Sequence, residues 1–244
     1  MNYTTFAQLY DELMEPSMYD KWLAFVERQA ISKQDTILDL ACGTGRLAVM
    51  LAQAQYDIAG VDLSAEMLAL ADMHARKSRV NVPFIEANML DLHNLAKYAT
   101  ITCFADSLCY LQTKAELQKT FCEVYQHLFA DGKFLFDVIT PYKTDEVYPG
   151  YMYNYTDEKQ AFIWSSYADN LPHSVIHDLT FFIYDETNNK YVRLNEEHHE
   201  RTYSMETYID LLHIAGFKKI SVSADFGQSQ PTDKTERLFF VCEK

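Results

Sequence analysis

The chain has no uninterrupted apolar run of the roughly 18 residues that a membrane-spanning helix needs, which argues against an integral helical membrane protein. Its opening stretch, MNYTTFAQLYDELMEP, carries acids where a secretory signal would carry basic residues and an apolar core. A cytoplasmic location is the expectation. Cysteine pairs are missing as well. Cys42, Cys103, Cys109, Cys122 and Cys242 are odd in number, include no C-x-x-C and sit mostly inside apolar runs. They read as reduced thiols packed like small hydrophobes, and neither a disulfide framework nor a metal site is expected. Basic charge is scarce: 21 Lys and Arg stand against 35 Asp and Glu, a formal net charge of −14. Such a chain repels a phosphate backbone, because nonspecific nucleic-acid affinity comes mainly from cations neutralising phosphates. The basic stretches at 77–79 and 218–219 are poor candidates for a local patch. No internal repeat or low-complexity tract is present.

What is present suits a well-packed globular protein: 244 residues, 48% hydrophobic, enough for one large domain or one domain with an insertion. Apolar positions recur at helical spacing from residue 3 to 30, interrupted by Pro16, which predicts two short helices with a bend between them. Trp22 is expected in the core. Five runs rich in Ile, Val, Leu and Phe follow (TILDLA, DIAGVD, VPFIEAN, TITCFAD, GKFLFDV), separated by helix-like segments, which implies βαβ units and a parallel sheet. Ser64 is placed to cap one of these helices, and Thr113 with Glu116 forms a T-x-x-E capping box ahead of another.

After Val138 the pattern changes. Aromatic or period-2 runs (YMYNYT, QAFIWSSYA, HSVIHDLTFFIYDE, KYVRLNEEHHER) are separated by polar turns with no helix-length pattern between them, and should pair antiparallel. Residues 141–202 therefore read as an inserted β subdomain. A helix ending at Gly216 and two closing strands, too closely joined to hold a crossover helix, complete the chain.

The stretch ILDLACGTGRLA, residues 37–48, reads as strand, tight turn and helix, and Gly43, Gly45 and Ala48 satisfy the G-x-G-x-x-A form of a dinucleotide fingerprint. Both NAD and S-adenosylmethionine suit such a turn. Asp39 favours the second, since a carboxylate there belongs beside a cation such as a methionyl ammonium or sulfonium rather than beside a pyrophosphate. Asp62, ending the next strand, is placed to accept from ribose hydroxyls in either case. EANMLDL and ADSLCYL put further polar residues at strand C-termini, the edge where such sheets bind ligands.

In these stretches, together with GVDLSAEML and DGKFLFDV, the chain resembles the class I S-adenosylmethionine-dependent methyltransferases, over residues 36–140 and again over 203–244. The opening FAQLYDELM and YDKWLAFV resemble those of bacterial small-molecule methyltransferases that insert a β-sheet lid after the fifth strand. The resemblance implies an α/β fold: a Rossmann-like, seven-stranded, mostly parallel sheet with an antiparallel last strand, formed by residues 1–140 and 203–244, plus the inserted antiparallel β subdomain. It implies S-adenosyl-L-methionine as cofactor and S-adenosyl-L-homocysteine as product. Asp39, Gly43 and Gly45 would hold the methionine moiety, with backbone contacts from Ala41 and Cys42. Asp62 would hold the ribose, Leu63 and Met67 would flank the adenine, and Asn88 with Met89 would read its edge. Asn88 stands where Asp is usual and Ala41 where Gly is common. Met67 also fits a helical core position, Asp39 a turn cap and Asp62 a helix cap. Tyr10 and Tyr19 of the opening helices would close over the cofactor.

Methyl transfer requires alignment of the acceptor with the S–CH3 bond and exclusion of water. Ala105 and Asp106 lie after the fourth strand, at the position of transfer. Asp106, Tyr110 and Tyr19 are the candidates to act there, Asp106 as orienter of the acceptor or as base, or alternatively as a turn cap. Asp137 ends the fifth strand. In NEEHHER, His198 and His199 are adjacent on a strand and face opposite ways, so at most one of them lines a pocket. Tyr151, Tyr153 and Tyr155 share one strand face, lining an acceptor pocket or packing on the sheet beneath. The expected partner is a small-molecule acceptor, with nucleic acid and membrane disfavoured and the chain a monomer or homodimer. The alternatives are a tRNA, rRNA or protein methyltransferase working with a partner, a NAD-dependent oxidoreductase and a non-catalytic cofactor-binding protein. The N/D-P-P-Y of exocyclic-amine methylation and the Pro-Cys of C5 methylation are both absent from ADSLCY.

Overall fold

The computed structural model describes residue 11 and residues 16–244. Among the described residues helix α1 spans Pro16–Glu27. The first of the two predicted opening helices lies outside the described residues, apart from Asp11. Strands β1 (Thr36–Leu40), β2 (Asp57–Asp62), β3 (Phe84–Glu86), β4 (Tyr98–Cys103) and β5 (Leu128–Ile139) pair in parallel, in the spatial order β5-β4-β1-β2-β3. Helices α2 (Arg46–Gln53), α3 (Ala65–Ser78) and α4 (Lys114–His127) cross between them. Helix α5 (Met205–Ala215) leads into β10 (Lys219–Ser223) and β11 (Arg237–Glu243), and β11 lies antiparallel between β5 and β10.

Local chemistry sets the helix ends. Ser64 accepts from the Met67 N–H, and Thr113 and Glu116 form the reciprocal capping box. Gly216, at φ 115°, closes α5 in a left-handed conformation unsuited to a side chain. Alternation along the central strands divides the core in two. On one face Phe134, Phe136 and Phe240 pack with Phe121 and Tyr208, the rings of Phe136 and Phe240 stacked 4.5 Å apart. On the other, Leu135 and Phe239 pack under Trp22 and Phe25 of α1. Asp137 follows the alternation onto this second face, which puts a carboxylate beneath the Trp22 indole.

Between β5 and α5 the chain builds a second sheet, antiparallel and in sequence order: β6 (Met152–Thr156), β7 (Gln160–Ala168), β8 (Ser174–Asp185) and β9 (Lys190–Arg201). It has its own small core, in which Phe162 and Phe181, opposite one another on β7 and β8, stack 4.6 Å apart. The two ends of this excursion meet where Thr202 Oγ1 donates to the Ile139 carbonyl at 2.6 Å. All five cysteines are free thiols, and no described helix is long and apolar enough to cross a membrane.

Candidate active site

A cleft of about 770 Å³ lies at the carboxyl ends of β1, β2 and β4. Its floor is the turn between β1 and α2, where Ala41, Gly43 and Gly45 all take positive φ (56°, 53° and 71°). The two glycines serve different ends. A Cβ on Gly45 would lie 2.6 Å from Ala71 Cβ and 2.9 Å from Phe84 Cζ, so the helix packs only over hydrogen. A Cβ on Gly43 would meet nothing within 4 Å, so glycine there is demanded by its left-handed backbone and keeps the cleft floor bare. The Gly43 N–H donates to Asp62 Oδ2 at 2.8 Å and the Ser64 N–H to Asp62 Oδ1 at 2.9 Å. Two backbone donors thus fix the carboxylate and leave one acceptor position on each oxygen for a ligand.

Asp39 is buried beside this turn. Thr102 Oγ1 donates to its Oδ1 at 2.7 Å, yet burial, with the nearby Asp62 charge, pushes its carboxyl up to about 7. Among the described residues no cationic side chain pairs with it. A buried acid of this kind is costly until a cation neutralises it, and a cationic ligand group reaching Asp39 would do so.

The turn is also fastened from outside. Asp11 accepts from Thr44 Oγ1 at 2.6 Å and from Arg46 Nε and Nη2 at 2.6 and 2.8 Å, and His74 Nε2 lies 3.3 Å from it. His74 Nδ1 meets the Thr44 carbonyl at 2.9 Å. These partners hold the Asp11 carboxyl well below its ordinary range although burial opposes them. The sequence reading missed this cluster. Its one signal was Arg46 in the first turn of α2, where a cation opposes the helix dipole unless an acid answers it.

A family profile described as "Methyltransferase domain" matches residues 37–132. A relative in Geobacillus sp. (strain WCH70), provisionally named a methyltransferase, is 40% identical over the whole of both chains. Among solved structures, an S-adenosylmethionine-dependent methyltransferase from Clostridium acetobutylicum ATCC 824 superposes with a TM-score of 0.85 at 28% identity, covering 98% of this chain and 97% of that one. The sugar N-methyltransferase KedS8 from Streptoalloteichus sp ATCC 53650, at 21% identity, shares the fold with a TM-score of 0.78 over 98% and 92%. The chain belongs to the class I S-adenosylmethionine-dependent methyltransferases.

Farther along the cleft of this methyltransferase, Leu63 stands 67% exposed, with Met67 and Met89 also lining the wall. Asn88 Oδ1 accepts from the Leu90 N–H at 2.9 Å, which orients the amide and leaves its NH2 group to donate. Ala41, Cys42 and Ala105 line the floor, Ala105 with φ 57°. Tyr19 lines the cleft from α1, edge-on to Trp22 at 5.5 Å, and burial pushes its phenol up to about 12, which keeps it protonated. Tyr10 lies outside the described residues.

The methyltransferase treats Asp106 differently from the expectation of an acceptor-orienting residue or base. Its carboxylate takes a two-pronged bond from Arg237, at 2.7 Å from Nη1 and 2.5 Å from Nη2, and it is not among the cleft-lining residues. The cause is tertiary: β11 pairs Arg237 with Ile139, next along β5 but one from Asp137, and so brings the guanidinium under the loop after β4. Asp137 completes the knot, accepting from Trp22 Nε1 at 2.7 Å and the Asp106 N–H at 3.1 Å, with Arg237 Nη1 at 3.0 Å. Burial pushes the Asp106 carboxyl up to about 7, against the pull of Arg237. Nothing in the local sequence marks Arg237.

Tyr110 does line the cleft, and its hydroxyl lies 2.9 Å from Nδ1 of His198, which reaches the same cleft from β9. His199 faces the other way, exposed and 2.9 Å from Glu197, as strand alternation requires. Tyr151 and Tyr153 pack on Trp164 and Phe162, and with Tyr155 they stay off the cleft lining.

Proposed function

We propose that this chain transfers the methyl group of S-adenosylmethionine to a nucleophilic atom of a small-molecule acceptor, by in-line displacement. The observation that carries the reading is Asp39, a buried carboxylate beside a glycine turn with no cation of its own among the described residues. Asp39 would meet the methionyl ammonium, the bare floor at Gly43 and Gly45 would admit the methionine backbone, and Asp62 would accept from the ribose hydroxyls. Leu63 and Met67 would flank the adenine, Asn88 and Met89 would read its edge, and Tyr19 would shield the methionyl end. The bound group supplies a methyl on a sulfonium, already activated, so the protein's share is alignment and exclusion of water. Ala105 and Tyr110 would floor the acceptor side. A cleft of about 770 Å³ is of small-molecule size, and the charge of −14 disfavours nucleic acid. The sugar substrate in the name of KedS8 is of the same size class.

Calorimetric titration of the ligand-free chain with S-adenosylhomocysteine, and separately with NAD, tests the reading. Saturable binding of the homocysteine compound alone is expected, weakened about tenfold or more (about 1.4 kcal/mol) by Asp62→Ala. Binding of NAD alone would overturn it.

A further inference from the structure

The Arg237 guanidinium, beneath the loop after β4, is joined to two of the elements that wall the cleft. Its forked nitrogens clasp the Asp106 carboxylate, and Asp137 Oδ2 lies 3.0 Å from Nη1. The two carboxylates lead to different elements. Asp106 belongs to the loop after β4, and its neighbours Phe104, Ala105 and Ser107 all line the cleft. Asp137 accepts from Trp22 Nε1 at 2.7 Å and from the Asp106 N–H at 3.1 Å, and Trp22 lines the cleft from α1, stacked 6.2 Å from Phe104. Arg237 itself is not among the cleft-lining residues, so it can act on a bound ligand only through these neighbours.

The loop needs such a hold. Ala105 and Asp106 are consecutive and both left-handed, at φ 57° and 60°, a conformation costly for alanine and only partly tolerated by aspartate. Residues kept there persist where their surroundings fix them. Asp106 occupies the N-cap position of the short turn Ser107–Tyr110, yet its side chain makes no capping bond. Its carboxylate turns instead to Arg237 while its N–H is taken by Asp137, so side chain and backbone are gripped separately. Stability alone does not account for the arrangement. Two buried acids share one guanidinium, and buried ion pairs stabilise a fold no better, as a rule, than apolar side chains filling the same space. What the planar fork adds is direction, because a bidentate bond fixes both the place and the tilt of a carboxylate.

We propose that Arg237 is a positioning residue for methyl transfer: through Asp106 and Asp137 it holds the Ala105–Asp106 turn and the Trp22 ring at the acceptor side of the cleft. This rests on the reading of the cleft as an S-adenosylmethionine site. In an in-line displacement the acceptor has to approach along the S–CH3 bond, and a misplacement of about 1 Å is enough to slow such a step about a hundredfold. The surface that aligns the acceptor comes from the β4 loop and from α1, and Arg237 of β11 is joined to both. Asp106 thereby has a part in the site that requires neither contact with the acceptor nor transfer of a proton.

The test follows the Ala105 carbons and the Trp22 indole N–H by NMR in the whole chain labelled at alanine and tryptophan, with A105G and W164F assigning the signals. Three variants are compared with the parent, each first checked for folding by urea unfolding. D106A removes the carboxylate and leaves Arg237 paired with Asp137. D106N keeps a side-chain oxygen for one prong and a residue tolerant of the left-handed backbone, and R237K keeps the charge without the fork. D106A and R237K should move the Ala105 carbon signals off their left-handed positions and weaken S-adenosylhomocysteine binding about tenfold, or about 1.4 kcal/mol. R237K should also move the Trp22 indole signal. D106N should hold the signals in place and the affinity within about threefold, or about 0.7 kcal/mol. A merely structural role would lower the urea midpoint and leave the signals and affinity of the folded state alone, which would overturn the proposal. A loss in D106N equal to that in D106A would overturn it too, since charge rather than grip would then be the cause. If R237K does not fold, D106A against D106N decides by the same criteria. Failure of the parent chain to bind S-adenosylhomocysteine would overturn instead the cleft reading beneath it.

Discussion

Asp39 and Ala41 lie two residues apart and are each held in an unfavourable state. For Asp39 the state is electrostatic: its carboxyl is pushed up to about 7 by burial, so near neutrality it holds a proton part of the time. A cation arriving beside it favours the carboxylate, so binding below that pH releases the proton. Affinity for S-adenosylhomocysteine should therefore rise with pH, by at most about tenfold per unit below 7, and level off above it. Calorimetry in buffers of different ionisation enthalpy reads the released proton directly, and Asp39→Asn should abolish both the release and the slope. For Ala41 the state is steric, since φ 56° costs an alanine about 1–2 kcal/mol. Ala41→Gly removes that cost and returns part of it as unfolded-chain entropy, for a net gain of about 0.5–1 kcal/mol in urea unfolding. The identities of both residues are plain in the sequence. Their burial and backbone conformation are not, because each depends on the path of the strands around them.

At the scale of elements, the junction between the opening segment and α2 is the least conventional. Arg46 stands at a helix N-terminus, where the Asp11 carboxylate answers its charge. Asp11→Asn keeps the shape and removes the charge, and should cost about 1–2 kcal/mol of stability in urea unfolding. The pH dependence follows from the two shifts. The Asp11 carboxyl is lowered by folding, so its contribution is present above its ordinary 3.8 and is lost as the pH falls below that value. The His74 pKa is raised, chiefly by Asp11, so its contribution is full below 6.5 and fades as the pH rises through the folded value. The gap in stability between the chain and its Asp11→Asn variant should therefore be widest between about pH 4 and pH 6.5. A gap flat from there to pH 9 would mean that His74 takes no part. Elements governed by neighbours in sequence were legible: the Thr113–Glu116 box, the Ser64 cap, the Gly216 stop and the opposite facing of His198 and His199 all involve partners within a few residues. The Asp11 cluster joins residues 33 and 35 positions apart, and no local pattern encodes it.

For the whole molecule, the question is how far the lid sheet can be separated from the cofactor half of the cleft. The lid core around Phe162 and Phe181 is separate from the two cores on the main sheet, and its ends meet at Thr202 and Ile139. Replacing residues 141–202 by a short loop should therefore leave S-adenosylhomocysteine affinity within about threefold, or about 0.7 kcal/mol. Methyl transfer should be lost, because Tyr110 and Gln112 lose their contacts with His198, His199 and Arg201 and the acceptor side opens to water. Retained turnover would remove the lid from the reaction.

The sequence by itself determined the alternation of strands and helices, the glycine turn, the carboxylates ending β1 and β2 and the change to period-2 strands after Val138, because each is written in residues adjacent or a few positions apart. Only the tertiary structure decided that Asp106 belongs to Arg237, that Asp137 ties α1, the loop after β4 and β11 into one knot, and that His198 of the lid reaches a cleft built from β1 and β2. Those pairings depend on which strands lie side by side and on where burial removes water. Both are properties of the assembled sheet, and no segment carries them alone.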